Sequence, residues 1–187
     1  RIIARLDPSV PLHIVPGNHD IRGFKSENYK RYMELVGYDR FSFKKGDCAF
    51  IGFDSNCIQN HVQPQEGAQF EWLENELRKA SEMTTSTDRR HIYLFCHCPI
   101  VYEKYDEDDN HNAFPKDLRD KYLELFKKYG VEAVFTGHSH IGTTLDLEGI
   151  RTINADPVAD AFGGHKSGIY VYHVTPSGFT YDFKAIQ

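Results

Sequence analysis

The sequence predicts an α/β fold, a layered domain built on a mixed sheet, and two observations carry this. Through the first two thirds of the chain, apolar runs of strand length alternate with segments whose apolar residues recur at helical spacing. The last third lacks the helical period and reads as two hairpins, which adds antiparallel strands to the layering. The length of 187 residues fits one domain, and 40% hydrophobic with 26% charged residues is ordinary for a globular chain.

Taken in order, Arg1 to Asp7 (RIIARLD) reads as the last turns of a helix, and Leu12 to Val15 as a short buried strand. Ser26 caps a helix that puts Tyr29, Tyr32, Met33 and Val36 on one face and stops at Gly37. Arg40 to Lys44 and Cys48 to Asp54 form a hairpin around Lys45-Gly46-Asp47. Residues 67–80 form a helix with Phe70, Leu73 and Leu77 inward, followed by an apolar strand from His91 to Cys96. A further helix covers residues 116–129, with Leu118, Tyr122, Leu125 and Tyr129 on one face and Gly130 as its end, and Val131 to Thr136 is a strand. Thr143 to Ala155 reads as a hairpin turning at Glu148-Gly149, and Gly168 to Phe183 as another turning at "TPSG". The sequence shows no internal repeat.

The totals exclude several classes of function. A net charge of −5 argues against a nucleic-acid backbone as partner, because phosphate contacts need a basic face. No apolar run approaches the length of a membrane span, and no signal peptide is visible. Four cysteines are too few for a disulfide scaffold at this length and lean towards a reducing, cytoplasmic compartment.

Chemistry gathers at three strand ends. "LHIVPGNHD" crowds Gly17, Asn18, His19 and Asp20 against an apolar run; "IYLFCHCPI" reaches His97 two residues before Pro99; "AVFTGHSHIG" ends in His138 and His140. In open α/β sheets the ligand site lies at the carboxyl ends of the strands. Imidazole suits zinc, iron and manganese, and an amide oxygen suits harder cations. Glycine lets the backbone turn sharply there and approach an ion closely. His138 and His140, two apart, share a face in extended chain, whereas in a tight turn they reach two neighbouring ions. Cys96-His97-Cys98 has too short a spacer for a zinc pair, and strand alternation turns both cysteines away from His97. "YEKYDEDDNHNAF", residues 102–114, holds five carboxylates and reads as a solvated acidic loop; its place just after the His97 strand leaves a substrate-gating role open.

"GNHD", then His97-Cys98-Pro99, then "GHSH", in that order, resemble the later signature blocks of the calcineurin-like metallophosphoesterase superfamily. The Gln69 to Leu77 helix (QFEWLENEL) and "FDS" at Phe53 to Ser55 are also similar to that family, and the acidic loop resembles one in its calcineurin-like phosphoesterase domain-containing group. The resemblance implies an α-β-β-α sandwich of two mixed sheets flanked by helices. It implies a hydrolase of phosphate esters using two divalent or trivalent metal ions (manganese, iron or zinc) about 3.5–4 Å apart, which hold a bridging hydroxide for in-line attack. By motif match, Asn18, His97 and His138 would ligate one ion and His140 the other. His19 would contact the phosphate and protonate the leaving oxygen, with Asp20 accepting its second N–H. The implied substrate is a phosphorylated small molecule or a phosphoprotein.

Two earlier blocks of the family pattern, Asp-x-His and Gly-Asp-x-x-Asp, have no counterpart on a strand. Asp109-Asn110-His111 fits the first in letters only and reads as a coincidence; Gly46-Asp47 lies in a turn, with Phe50 where the second aspartate would stand. Residues 1–187 are therefore expected to be the C-terminal portion of a single such domain, N-terminally truncated, binding metal poorly (one ion or none) and weakly active or inactive alone, with exposed sheet edges open to self-association. The alternatives are a scaffold that keeps the fold without catalysis, and a structural zinc site on Cys96, His97 and Cys98. His165, after two glycines, lines the substrate cleft or is a loop residue; Asp54 supports the site or caps a strand. Trp72 and Phe70 are assigned to the core, and His13, His61, His91 and His173 to structural roles.

Overall fold

The computed structural model describes residues 5–21, 26–83, 90–159, 164 and 166–186. Its helices are α1 (Asn18–Ile21), α2 (Ser26–Val36), α3 (Asn56–Gln59), α4 (Gln65–Ser81) and α5 (Lys116–Lys128). Its strands are β1 (Phe41–Lys45), β2 (Cys48–Gly52), β3 (His91–Phe95), β4 (Ala133–Thr136), β5 (Thr143–Leu147), β6 (Ile150–Asn154), β7 (Gly168–Thr175) and β8 (Gly178–Ala185).

Six strands make one mixed sheet in the order β1-β2-β3-β4-β6-β5. The inner four run parallel, and β1 and β5 pair antiparallel at the edges. The crossovers from β2 to β3 and from β3 to β4 carry α4 and α5, so all four inner strands end on the same side of the sheet. No described helix is long and apolar enough to cross a membrane.

Strand alternation sorts the side chains into two layers. Ile51, Leu94 and Val134 are fully buried against the helices with Leu73 and Leu77 of α4 and Tyr122 and Phe126 of α5. Burial of each such aliphatic side chain contributes about 1.5–3 kcal/mol. The other face is aromatic. Phe43, Phe50, Phe95 and Phe135 follow one another across the strands with ring centroids 4.9, 6.4 and 5.0 Å apart. The second sheet is the antiparallel hairpin β7–β8, where a mixed sheet was expected. It lays Tyr172 on Phe135 at 4.6 Å and Phe179 on Tyr93 at 5.5 Å. Its turn is fixed at the far end from the strand tips, where the buried His91 ring sits between the Glu132 carboxylate and the Pro176 carbonyl oxygen, 3.0 Å from Nε2.

The turn signals hold: Gly37, Gly46, Gly130 and Gly149 all take positive φ, as a helix stop or tight hairpin requires. Leu12 to Val15 is not a strand. The Tyr38 hydroxyl takes the Ile14 N–H (3.2 Å) and lies 3.4 Å from the Leu12 carbonyl oxygen, while His13 stacks on Phe43 at 4.4 Å. The segment thus lies over β1 through side chains, and among the described residues it joins no ladder. At Arg1 to Asp7, residues 1–4 lie outside the described residues, and Asp7 closes a turn with Val10.

Candidate metal centre

The four parallel strands deliver their polar residues to one edge, and side chains tie those tips together. After β2, Ser55 Oγ accepts the backbone N–H of His97 (3.1 Å) and Cys98 (2.8 Å), which fixes the turn after β3. Asn56 donates through Nδ2 to the Pro16 carbonyl (2.8 Å) and so anchors the PGNHD segment. The His97 carbonyl accepts the Gly137 N–H (3.0 Å), and Asn154, the last residue of β6, donates to Ser139 and to the Ile141 carbonyl (2.6 Å). Cys96 and Cys98 are buried in the helix-side core.

These ties bring three donors from three segments to one point. His97 Nε2 lies 2.8 Å from Asn18 Oδ1 and 3.1 Å from His138 Nδ1. Spacings near 3 Å are what adjacent donors bound at about 2.1 Å to one ion require. Two imidazole nitrogens and an amide oxygen suit a borderline transition metal, so the residues present fit one face of a metal site. Burial, reinforced by His138, His19 and His140 nearby, lowers the His97 imidazole to about 4; burial likewise lowers His138. Both therefore stand neutral, the form that offers a lone pair to a metal.

The backbone is shaped for this as well. His138 and His140 both take left-handed conformations, with φ of 75° and 59°. That conformation costs a residue other than glycine roughly 1–2 kcal/mol and is found where the surroundings enforce it. The tight turn sends His138 to His97, and His140 lines a cavity of about 300 Å³ together with both of those histidines, Asp156 and Pro157. Gly17 packs tightly on the centre, since a Cβ there would meet the His97 ring at 3.1 Å and the ring would have to shift to admit it.

A larger cavity, about 920 Å³, opens beside the donors and is lined by Asn18, His19, Gln59, His61, Asp109 and His111 among others. His19 is therefore on the cavity wall next to the first donor. Asp20 is engaged differently from the expectation: Oδ2 accepts the Gly17 N–H at 2.8 Å, and no bond joins it to His19 among the described residues. Asp54 lies behind the centre, 1% exposed, with Oδ1 bound to the backbone and side chain of Asn56. Burial pushes its carboxyl up to about 6. His165 lies outside the described residues. Sequence reading missed Gln59, took His61 as structural and left only a gating role open for the loop that carries Asp109-Asn110-His111; all of them line the cavity, where that loop meets α3 through Gln59 and His111.

The parallel-stranded sheet brings two neutral histidines and an amide together at its strand tips, a donor set that suits a metal ion. The chain belongs to the calcineurin-like phosphoesterase family, whose model matches residues 1–142. It is similar to the serine/threonine-protein phosphatase CPPED1 of Danio rerio, 28% identical over 188 residues, covering 97% of this chain and 58% of that protein. It is also similar to acid phosphatase type 7 of Mus musculus, 30% identical over 151 residues, covering 75% of this chain and 34% of that one. The chain thus spans less than two thirds of the length of these curated relatives. In fold it resembles the crystal structure of a dimetal phosphatase from Danio rerio, with a TM-score of 0.63 over 95% of this chain and 70% of that one at 12% identity.

Proposed function

We propose that this chain takes part in metal-dependent hydrolysis of phosphate monoesters carried on protein side chains. The observation that carries the reading is the convergence of Asn18 Oδ1, His97 Nε2 and His138 Nδ1 beside a cavity walled by His19. Family membership and the phosphatase names of its relatives support it.

Asn18, His97 and His138 would hold one ion, and His140 would contribute an imidazole to a second. A metal bound there supplies Lewis-acid polarisation of a phosphoryl oxygen. The chain's own residues do the rest. His19 contacts a phosphoryl oxygen from the cavity wall and gives its proton to the departing side-chain oxygen. Asp20 holds the turn that carries His19 through the Gly17 N–H. The open cavity accepts a phosphorylated side chain with flanking backbone, in keeping with the protein-phosphatase name of the first relative.

The test compares hydrolysis of a phosphoserine peptide and of an aryl phosphate with added Mn²⁺, using this chain, a version extended upstream, and His19→Ala in each. Metal-dependent turnover that His19→Ala abolishes supports the reading. Stoichiometric metal binding without turnover in either length favours the scaffold alternative.

A further inference from the structure

The loop of residues 102–114, between β3 and α5, is locked from the inside. Glu107 accepts the backbone N–H of Tyr102 (2.6 Å), Glu103 (2.8 Å) and Lys104 (3.4 Å). Arg119 of α5, 1% exposed, donates to the carbonyls of Phe114 (2.9 Å), Tyr105 (3.3 Å) and Glu107 (2.7 Å). Its second amino group lies 3.5 Å from the Glu107 carboxylate. A loop that reads as solvated acid thus has a buried ion pair at its root.

The lock has a product at the other end of the loop. The His111 backbone carbonyl faces the metal centre, with His138 Nε2 at 2.7 Å. The Gln59 side-chain amide donates to the same carbonyl, and Gln59 Oε1 accepts the Cys98 thiol at 3.2 Å. The Gln59 amide nitrogen, a donor, also lies 3.4 Å from Nε2, but the carbonyl at 2.7 Å is the closer partner and only accepts, so the proton of the neutral His138 ring belongs on Nε2. That leaves the lone pair on Nδ1, the atom that meets His97.

We propose that Gln59 and the Glu107–Arg119 pair are positioning residues that fix His138 as an Nδ1 ligand through the His111 carbonyl. The inference rests on the metal-centre reading above and adds to it the parts of the chain that orient one ligand. Because Asp109, Asn110 and His111 also line the large cavity, the same carbonyl links the cavity rim to the ligand nitrogen.

Long-range ¹H–¹⁵N correlation spectra of the metal-free chain at about pH 8 test the first step. The expected result is the Nε2–H tautomer at His138; the Nδ1–H tautomer overturns the proposal. Co²⁺ titration followed by visible absorption tests the second. Gln59→Leu is expected to weaken Co²⁺ binding by about 10–100-fold, the usual cost of losing a partner behind a metal ligand. Glu107→Gln is expected to shift it in the same direction, with folding of both variants checked by their thermal midpoints. Folded Gln59→Leu protein that binds Co²⁺ as the unsubstituted chain does overturns the inference alone. No Co²⁺ uptake by the unsubstituted chain overturns the metal-centre reading as well.

Discussion

His97 Nε2 and His138 Nδ1 lie 3.1 Å apart, although 41 positions separate them in the chain. Each stands two residues beyond a parallel strand, and β3 and β4 are neighbours, so strand pairing alone sets most of their separation. Hydrogen bonds at the tips, such as Gly137 N–H to the His97 carbonyl, complete it. Removing either imidazole should cost more metal affinity than the ~10–100-fold of an outer partner. His97→Ala and His138→Ala are therefore expected to abolish Co²⁺ binding in the range where the unsubstituted chain saturates, as read by calorimetric titration.

Gly17→Ala tests how tightly the first turn is packed on the ligand. The new methyl would meet His97 at 3.1 Å, and a ring held by its backbone and by two donors cannot retreat freely. Overpacking of this kind costs about 1–3 kcal/mol. The expected outcome is a lower urea midpoint together with weaker metal binding. A variant with unchanged values for both would show that the ring has slack.

The depressed His97 value makes stability depend on pH in a definite direction. The folded imidazole, lowered to about 4 from 6.5, binds fewer protons than the unfolded one between those values. Its stabilising effect is complete above about pH 6.5 and is lost as pH falls through about 4, an amount of roughly 3 kcal/mol. Urea unfolding of the metal-free chain from pH 7 to pH 4 is expected to show this slope, and His97→Asn to flatten it.

Asp54 acts with the opposite sign. Burial raises its carboxyl to about 6, and Oδ2 has no hydrogen-bond partner among the described residues. The folded state therefore binds more protons than the unfolded one between about 3.8 and 6, and the ionised group costs stability above that window. Asp54→Asn is expected to raise the thermal midpoint at pH 7.5, by up to about 3 kcal/mol in stability, and to lose this advantage as pH falls towards 4. A gain that persists at pH 4 would assign the effect to packing.

Much of the architecture is legible because its signals are long or punctuated. α4 and α5 show the helical period over several turns, and the hairpins carry glycines that take positive φ. Asn18, His97 and His138 stand out because each closely follows an apolar run. Other features leave no such trace. Leu12 to Val15 has the composition of a strand, yet its backbone is met by the Tyr38 hydroxyl, and an apolar run looks the same in either case. The single turns α1 and α3 are too short to show a period. Gln59 and His111 meet across 52 positions, a contact made by loop path and invisible to local pattern. Asp54 follows a recognisable motif but faces inward, since the motif's role is to tie strand tips through Ser55 and Asn56.

The anchoring of Pro176 on His91 gives the molecule two tiers of cooperativity. Among the described residues β7 and β8 pair with each other and with no strand of the main sheet; they hold on through aromatic rings, this clasp and, at the opposite end, the Tyr170 hydroxyl on the Asp156 carboxylate (2.6 Å). Such a unit opens at lower free energy than the parallel core. In hydrogen exchange its amides should report a peeling event that leaves the six-stranded sheet intact. The His91 clasp lies away from the strand tips, whereas Asp156, which holds Tyr170, also accepts the Gly142 N–H (3.0 Å) and lines the cavity of His138 and His140, so peeling of the hairpin is expected to loosen that turn.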